Sequence, residues 1–169
     1  TTLFNQWFVS DPNESFNMEV LDVITLDQDE NDSTVYQFAK SGTGNYFFPL
    51  DGRGFNEQTS GNGIHNFHFT SEVRTWFTYN NPAANPVLTF SGDDDVWVFV
   101  NGQLAVDLGG VHGELTGSIE LDGSTGQSSI GRVPAVSGTA NVVSIPLTTT
   151  GVNEIAVFQA ERNVNQSNY

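Results

Sequence analysis

The chain has 169 residues, which fits a single domain long enough to bury a sizeable core. Its 20 Asp and Glu outnumber its 5 Lys and Arg and give a formal charge of −15, which argues against nucleic acid, whose phosphates need basic contacts. The chain has no Cys, which excludes a disulfide scaffold and thiolate metal sites. It also has no apolar run long enough to insert into a membrane. We therefore expect residues 1–169 to form one monomeric domain.

Short apolar runs separated by Gly, Asn and other turn residues predict strands along most of the chain. Residues 75–78 are ambiguous, no segment keeps a 3.6-residue period, and a short helix near the N-terminus stays open. The pattern is typical of an all-β fold, an antiparallel β-sandwich or barrel with long loops. In chain order, the predicted strands are 19–26, 34–38, 66–70, 87–90, 96–100, 103–108, 118–121, 141–147 and 153–160.

The most informative strand is 96–100, which is apolar at every position. Continuous apolar character over a short run predicts a strand that is buried on both faces. Asn101-Gly102 follows it and predicts a type I′ hairpin turn, because that turn needs positive φ at both central positions. Residues 103–108 would then form the return strand.

Two polar segments are predicted to be loops. Residues 27–32 are acidic and could hold a second, structural calcium, but the Gly and Glu that an EF-hand needs at positions six and twelve are absent. Residues 123–138 are small and polar, and loops of this length are often functional.

Three consecutive carboxylates, Asp93, Asp94 and Asp95, stand directly before the apolar strand. Like charges repel one another, and nothing in strand formation requires them at this place. A hard cation resolves the conflict, because calcium binds about six to eight oxygen ligands and favours carboxylates. The alternative is a solvated acidic turn, but the position beside a buried strand favours a calcium site.

These residues also suggest a family. Residues 91–102, followed by 106–113, resemble the fibro-slime domain, a member of the protective-antigen-type lectin superfamily. The resemblance begins at about residue 45, and the first 40 residues match no motif. It implies a calcium-dependent lectin module excised from a larger bacterial surface adhesin and related to yeast flocculins. The further matching segments are 47–52, 65–70, 117–119, 158–163 and 167–169.

The resemblance also implies a calcium site. In those lectins the first two aspartates of the motif, joined by a cis peptide bond, bind one calcium, and the calcium binds vicinal sugar hydroxyls. This implies that Asp93 and Asp94 are ligands, whereas the role of Asp95 is less certain. A non-proline cis bond costs about 3–4 kcal/mol, so it persists only where the surroundings enforce it.

The same resemblance implies further ligands from residues 163–167, after the last long strand. The side-chain oxygen of Asn163 and the carbonyl oxygens of Asn165 and Ser167 would complete the shell, although an ordinary Asn-rich turn is the alternative. Paired glycines at 109–110 indicate either a close approach of backbone to the site or a simple turn. The implied sugar-binding residues are Asp93, Asp94, Asn163, Gln166 and Gly110.

No motif assigns a nucleophile, and a glycosidase needs carboxylates about 5–10 Å apart that flank the scissile bond. The three histidines, His65, His68 and His112, are interpreted as structural. The predicted function is therefore non-enzymatic. It is calcium-dependent carbohydrate binding that attaches an extracellular, cell-surface protein to glycans with vicinal hydroxyls. A calcium-stabilised spacer domain of an adhesin is the alternative, and a glycoside hydrolase is less favoured.

Overall fold

The structure is a computed structural model. It describes residues 2–11, 13, 18–40, 44, 46–53, 57–80, 85–122, 127–133, 141–145 and 147–169. One helix, α1, spans Thr2–Phe8. The strands are β1 Asp27–Gln28, β2 Tyr36–Gln37, β3 Gln58–Ser60, β4 Gly63–His65, β5 Phe69–Thr78, β6 Val87–Gly92, β7 Asp95–Val100, β8 Gln103–Asp107, β9 Leu115–Asp122, β10 Gln127–Val133, β11 Asn141–Ser144 and β12 Val152–Glu161.

The strands form two antiparallel sheets of four strands each, ordered β5-β12-β7-β8 and β11-β10-β9-β6, and two small hairpins, β1-β2 and β3-β4. Side chains from both large sheets meet in one apolar core, for example Val98 of β7 and Ile119 of β9. None of the sheets formed by the described strands closes into a barrel. The predicted all-β class is therefore confirmed, as an antiparallel sandwich. No helix in the described part of the chain is long and apolar enough to cross a membrane.

The strand β7 is covered on both faces, as its apolar sequence predicts. Val96, Val98 and Val100 are at most 1% exposed and face the core. Trp97 and Phe99 alternate with them, and both are partly buried. Successive side chains of β7 therefore point alternately to the core and to the outer face of the sheet.

The helix α1 covers that outer face. Phe4 and Phe8 each lie 5.1 Å, between ring centroids, from Phe158 of β12 in edge-to-face contacts. Both rings also contact Trp97. Because a seven-residue helix is marginal alone, this aromatic packing is what stabilises α1.

The turn between β7 and β8 has the predicted geometry. Asn101 has φ 48° and Gly102 has φ 76°, so both central residues lie in the left-handed region that a type I′ turn requires. The Asn101 side chain donates to Asn153 Oδ1 over 2.8 Å, and its Oδ1 accepts from the Glu154 backbone N–H over 2.8 Å. The turn is thereby tied to β12.

Two predictions of local structure were wrong. Residues 19–26 are not a strand, since no described strand pairs with them, and Leu21 and Val23 are 89% and 83% exposed. Their alternation of apolar and polar residues is typical of a strand, but a strand also needs a neighbouring strand to pair with. The predicted loop 123–138 contains β10, Gln127–Val133, paired with β9 and β11. Its flanks 123–126 and 134–138 lie outside the described residues.

Tyr169 supplies a pH-dependent contribution to stability. Burial raises the pKa of its phenol to about 12 from the ordinary 10.0, because ionisation is disfavoured away from water. Its ring stacks on Phe47 at 4.7 Å, and its backbone N–H donates to the Lys40 carbonyl over 2.9 Å. The end of the described chain is thus packed into the domain.

The stabilisation from neutral Tyr169 should be complete below pH 10 and disappear as pH rises toward 12, with a loss of about 3 kcal/mol at most. Tyr169→Phe should flatten this alkaline decline, as measured by urea unfolding at several pH values. Tyr36→Phe is the matched control, because Tyr36 is 60% exposed. Equal alkaline declines for Tyr169→Phe and the parent chain would contradict the assignment.

Candidate functional site

The antiparallel pairing of β7 with β12 brings the two predicted ligand segments together. In its register Asp95 lies opposite Ala160, so the residues just before β7 meet those just after β12. Asp93 and Asp94 therefore lie beside residues 161–163, although the two segments are far apart in sequence. Strand pairing alone explains this proximity.

An open cleft of about 340 Å³ lies at this end of the sheet. Asn163, Asn165 and Gln166 line it together with both aspartates that precede β7, so most of the predicted site residues share one surface. Ser167 and Gly110 are not among its lining residues. The full lining is Asp93, Asp94, Val111, His112, Gly113, Asn163, Asn165 and Gln166.

Asp93 is held by Asn168, a residue that the sequence reasoning did not single out. The Asn168 backbone N–H donates to Asp93 Oδ1, and its side-chain Nδ2 donates to Oδ2, each over 2.9 Å. Both carboxylate oxygens are therefore fixed at 7% exposure. The only sequence signal for this role was the short match at 167–169.

Asp94 is 2% exposed and is less fully paired. Its Oδ2 accepts the backbone N–H of Arg162 over 2.7 Å. Among the described residues, none donates a hydrogen bond to its Oδ1. Asp94 Oδ1 is thus open to a further partner, while Asp95 Oδ2 has its ion pair with Arg162 but no hydrogen bond within the described residues.

Asp95, whose role the sequence left uncertain, supports the fold. Its Oδ1 accepts the Gly110 N–H over 2.6 Å, and its Oδ2 forms an ion pair with Arg162 Nε at 2.5 Å. The Arg162 guanidinium also lies over the Trp7 ring, 5.4 Å from the centroid. Arg162 therefore pairs with Asp95 and not with its neighbour in sequence, Glu161.

A fourth buried carboxyl group, Glu161, lies beside these aspartates. Burial raises its pKa to about 9, and the negative charges of Asp93 and Asp94 contribute to the shift. Burial also raises the pKa of Asp93, and Asp94 adds to it. Within the described residues, Glu161 Oε2 and Ser167 Oγ have no hydrogen-bond partner, although the nearby Ser167 hydroxyl opposes the pKa shift of Glu161. Because its pKa is raised, Glu161 is mostly protonated at neutral pH, so the buried charges that face the Arg162 guanidinium are those of the three aspartates.

The glycine pair has a structural explanation. A Cβ on Gly109 would lie 3.1 Å from Trp97 Nε1, so the ring requires the space. Gly110 has φ 124°, which L side chains rarely adopt, and its N–H donates to Asp95. The structure favours the turn over direct contact of these glycines with a ligand.

The loop 163–167 is tied to distant parts of the chain. Asn62 Nδ2 donates to the Asn165 carbonyl, and Gln166 Nε2 donates to Tyr46 Oη over 3.1 Å. The Ser167 carbonyl accepts the Phe47 N–H over 2.8 Å. These contacts hold the rim of the cleft in place, and of their donors Gln166 was a predicted site residue, whereas Asn62 and Phe47 were not.

The acidic segment 27–32 binds its own backbone. Asp29 Oδ1 accepts hydrogen bonds from the N–H groups of Asn31 and Asp32, and Asp32 Oδ1 accepts them from the N–H and hydroxyl of Thr34.

Within the described ranges, no three or more His, Asp or Glu side chains are grouped so that they could share a metal. A cation in the cleft would therefore need amide and backbone oxygens as well as carboxylates.

The histidines have local contacts that fit a structural role. His65 Nδ1 lies 2.6 Å from Asp51 Oδ2, and the ring stacks on Phe48. His112 contacts the carbonyl oxygens of Gly113 and Leu108 at 2.8 and 2.7 Å.

Curated relatives of this chain come from Dictyostelium discoideum. Protein psiQ is 40% identical over 129 residues, which are 70% of this chain and 12% of psiQ. Protein psiH is 46% identical over 82 residues, 45% of this chain and 11% of psiH. Protein psiR is 35% identical over 131 residues, 72% of this chain and 12% of psiR. The chain thus spans about an eighth of the length of these relatives. No family model and no solved structure matches it.

These findings correct the predicted identity. Assignment to the fibro-slime lectins was wrong, since no family model matches and the relatives are psi proteins of a social amoeba. The predicted function, a calcium-dependent lectin of a bacterial adhesin, was wrong with it. The motif misled because several of its residues serve the fold. Asp95 pairs with Arg162, 101–102 forms the hairpin turn, and 96–100 fills the core.

The ion pair of Arg162 with buried Asp95 should contribute measurably to stability. Arg162→Met leaves the Asp95 carboxylate without its counter-charge, so the free energy of unfolding should fall by about 2–3 kcal/mol in denaturant titrations. Arg74→Met is the control. Arg74 also stacks on an aromatic ring and pairs with carboxylates, but its partners are more exposed, so about 0.5 kcal/mol is expected. Equal losses in the two variants would contradict the structural role of Asp95.

Proposed function

We propose that this domain is a non-catalytic binding module whose cleft holds a hard divalent cation, with calcium as the expected ion. The observation that carries the proposal is the concentration of buried carboxylates beside an open cleft. Asp93, Asp94 and Asp95 are each at most 7% exposed. Arg162 is the cation that pairs with one of them. A buried charge is costly unless it is paired, so this arrangement favours a bound cation.

The donor set suits a hard ion. Asp94 Oδ1 has no protein donor among the described residues, and the Asn163 and Asn165 side chains line the same cleft. Calcium can bind carboxylate, amide and carbonyl oxygens in the same site. Its coordination geometry is flexible, so a calcium site does not require three acidic side chains. Both oxygens of Asp93 are held by Asn168, so its carboxylate would lie at a fixed position beside the cation and attract it.

The cleft is open to solvent, so a cation held on its floor would keep positions for oxygen atoms from outside. That arrangement suits a module that captures a ligand rather than one that transforms it.

Calcium should raise the thermal unfolding temperature of chelator-treated protein. At a concentration of about 100 times the dissociation constant, binding adds about 2.7 kcal/mol, which corresponds to roughly 5–10 °C for a chain of this size. Asp94→Asn should abolish the rise, because Asn can still accept the Arg162 N–H but lacks the charge.

Asp27→Asn is the matched control, since it removes the same charge from an exposed position and should leave the calcium response intact. A calcium response that survives in Asp94→Asn, or none in the parent protein by calorimetry, would refute the cation site. Replacing calcium by magnesium tests the type of ion, because magnesium demands stricter geometry.

A further inference from the structure

The sequence contains the dipeptide Asn-Gly twice, at 62–63 and at 101–102. In this dipeptide the backbone nitrogen of Gly can attack the side-chain amide carbon of Asn, because Gly has no Cβ to hinder the approach. The reaction needs a mobile side chain and an accessible amide carbon. The two sites differ in both respects.

Asn101 is held on every side. Its Nδ2 donates to Asn153 Oδ1, its Oδ1 accepts the Glu154 N–H, and its own N–H donates to the Glu154 carbonyl over 3.0 Å. The residue is partly buried in a tight turn between two core strands. Turning the amide toward Gly102 would break both side-chain hydrogen bonds.

Asn62 has fewer side-chain contacts, although its N–H donates to Ser60 Oγ and its carbonyl oxygen lies 3.1 Å from His65 Nε2. It is exposed, in the turn that joins the short strands β3 and β4. Its side chain has one described hydrogen bond, from Nδ2 to the Asn165 carbonyl. Gly63 is also exposed and has φ 123°, a conformation outside the range of most side chains.

We propose that Asn62 is a site of spontaneous deamidation in the folded protein and that Asn101 is protected. The Gly63 nitrogen forms a bond to Asn62 Cγ, and the side-chain nitrogen leaves as ammonia to give a succinimide. Water then opens the ring to aspartate or isoaspartate. The net reaction consumes one water, releases one ammonia and converts the amide into a carboxylate, with no oxidant or reductant.

The product changes the rim of the cleft. Asn62 Nδ2 is the donor that holds the Asn165 carbonyl, and a carboxylate cannot donate in its place. Two acceptors then face each other, and the loop 163–167 loses one of its ties to the rest of the domain. A slow chemical event on an exposed hairpin would thereby alter the proposed binding site.

Peptide mapping by mass spectrometry tests the proposal. The 169-residue protein is kept in mildly alkaline buffer, and the mass increase from amide to acid is followed at both sites. Asn62 should react roughly tenfold faster than Asn101 or more, which corresponds to a barrier difference of about 1.4 kcal/mol. In denaturant the two sites should react at similar rates, because the fold causes the difference. Equal rates in the folded protein, or an unreactive Asn62, would overturn the proposal.

The effect on the cleft rests on the proposed cation binding and has its own readout. Complete conversion should change calcium affinity by roughly two- to tenfold, because it removes one hydrogen bond from the rim and adds a carboxylate beside it. Asn62→Gln, which keeps the amide and blocks the reaction, should bind calcium equally before and after incubation. Unchanged affinity in fully converted protein would overturn this link. Absence of any calcium binding would refute the proposed function and leave the deamidation result standing.

Discussion

The pairing of β7 with β12 is the constraint on which both the core and the candidate site depend. It buries the apolar side chains of 96–100 between the second sheet and α1, and it places Asp95 opposite Ala160. The carboxylates that precede β7 are thereby held against Glu161, where sheet formation gains nothing from them. Arg162, Asn168 and the Gly110 N–H fix two of these carboxylates. The sheet thus brings buried carboxyl groups together at one end, where Arg162 pairs with one of them.

Sequence reasoning succeeded for elements whose signal is local. Residues 96–100 and the Asn101-Gly102 turn were predictable, because continuous apolar character and positive φ are properties of short segments. Residues 19–26 show the limit of such reasoning, because a strand also needs a partner that no local pattern specifies. The helix α1 is too short to show a period and is stabilised by packing on Phe158. The strand β10 consists mainly of small polar residues, which also favour loops.

The same distinction applies to the site. Asp93 and Asp94 were predictable, because charges directly before a buried strand conflict with their surroundings. Their partners Arg162 and Asn168, and the rim donor Asn62, are ordinary residue types whose roles arise only from contacts across 68, 75 and 103 positions of sequence. A single sequence contains no pattern that predicts which Asn of this chain will contact the site from so far away in sequence.

The motif around 91–102 led to the wrong family, and the structure explains how. A buried strand, a type I′ turn and an aspartate that pairs with an arginine are solutions that unrelated β-sandwiches share, so their joint appearance is weak evidence of descent. Asp94 is the part of the motif that the fold does not explain. It is 2% exposed, one of its oxygens has no described donor, and it faces an open cleft rather than the core. The local charge balance at Asp94, and not the resemblance, therefore favours a cation.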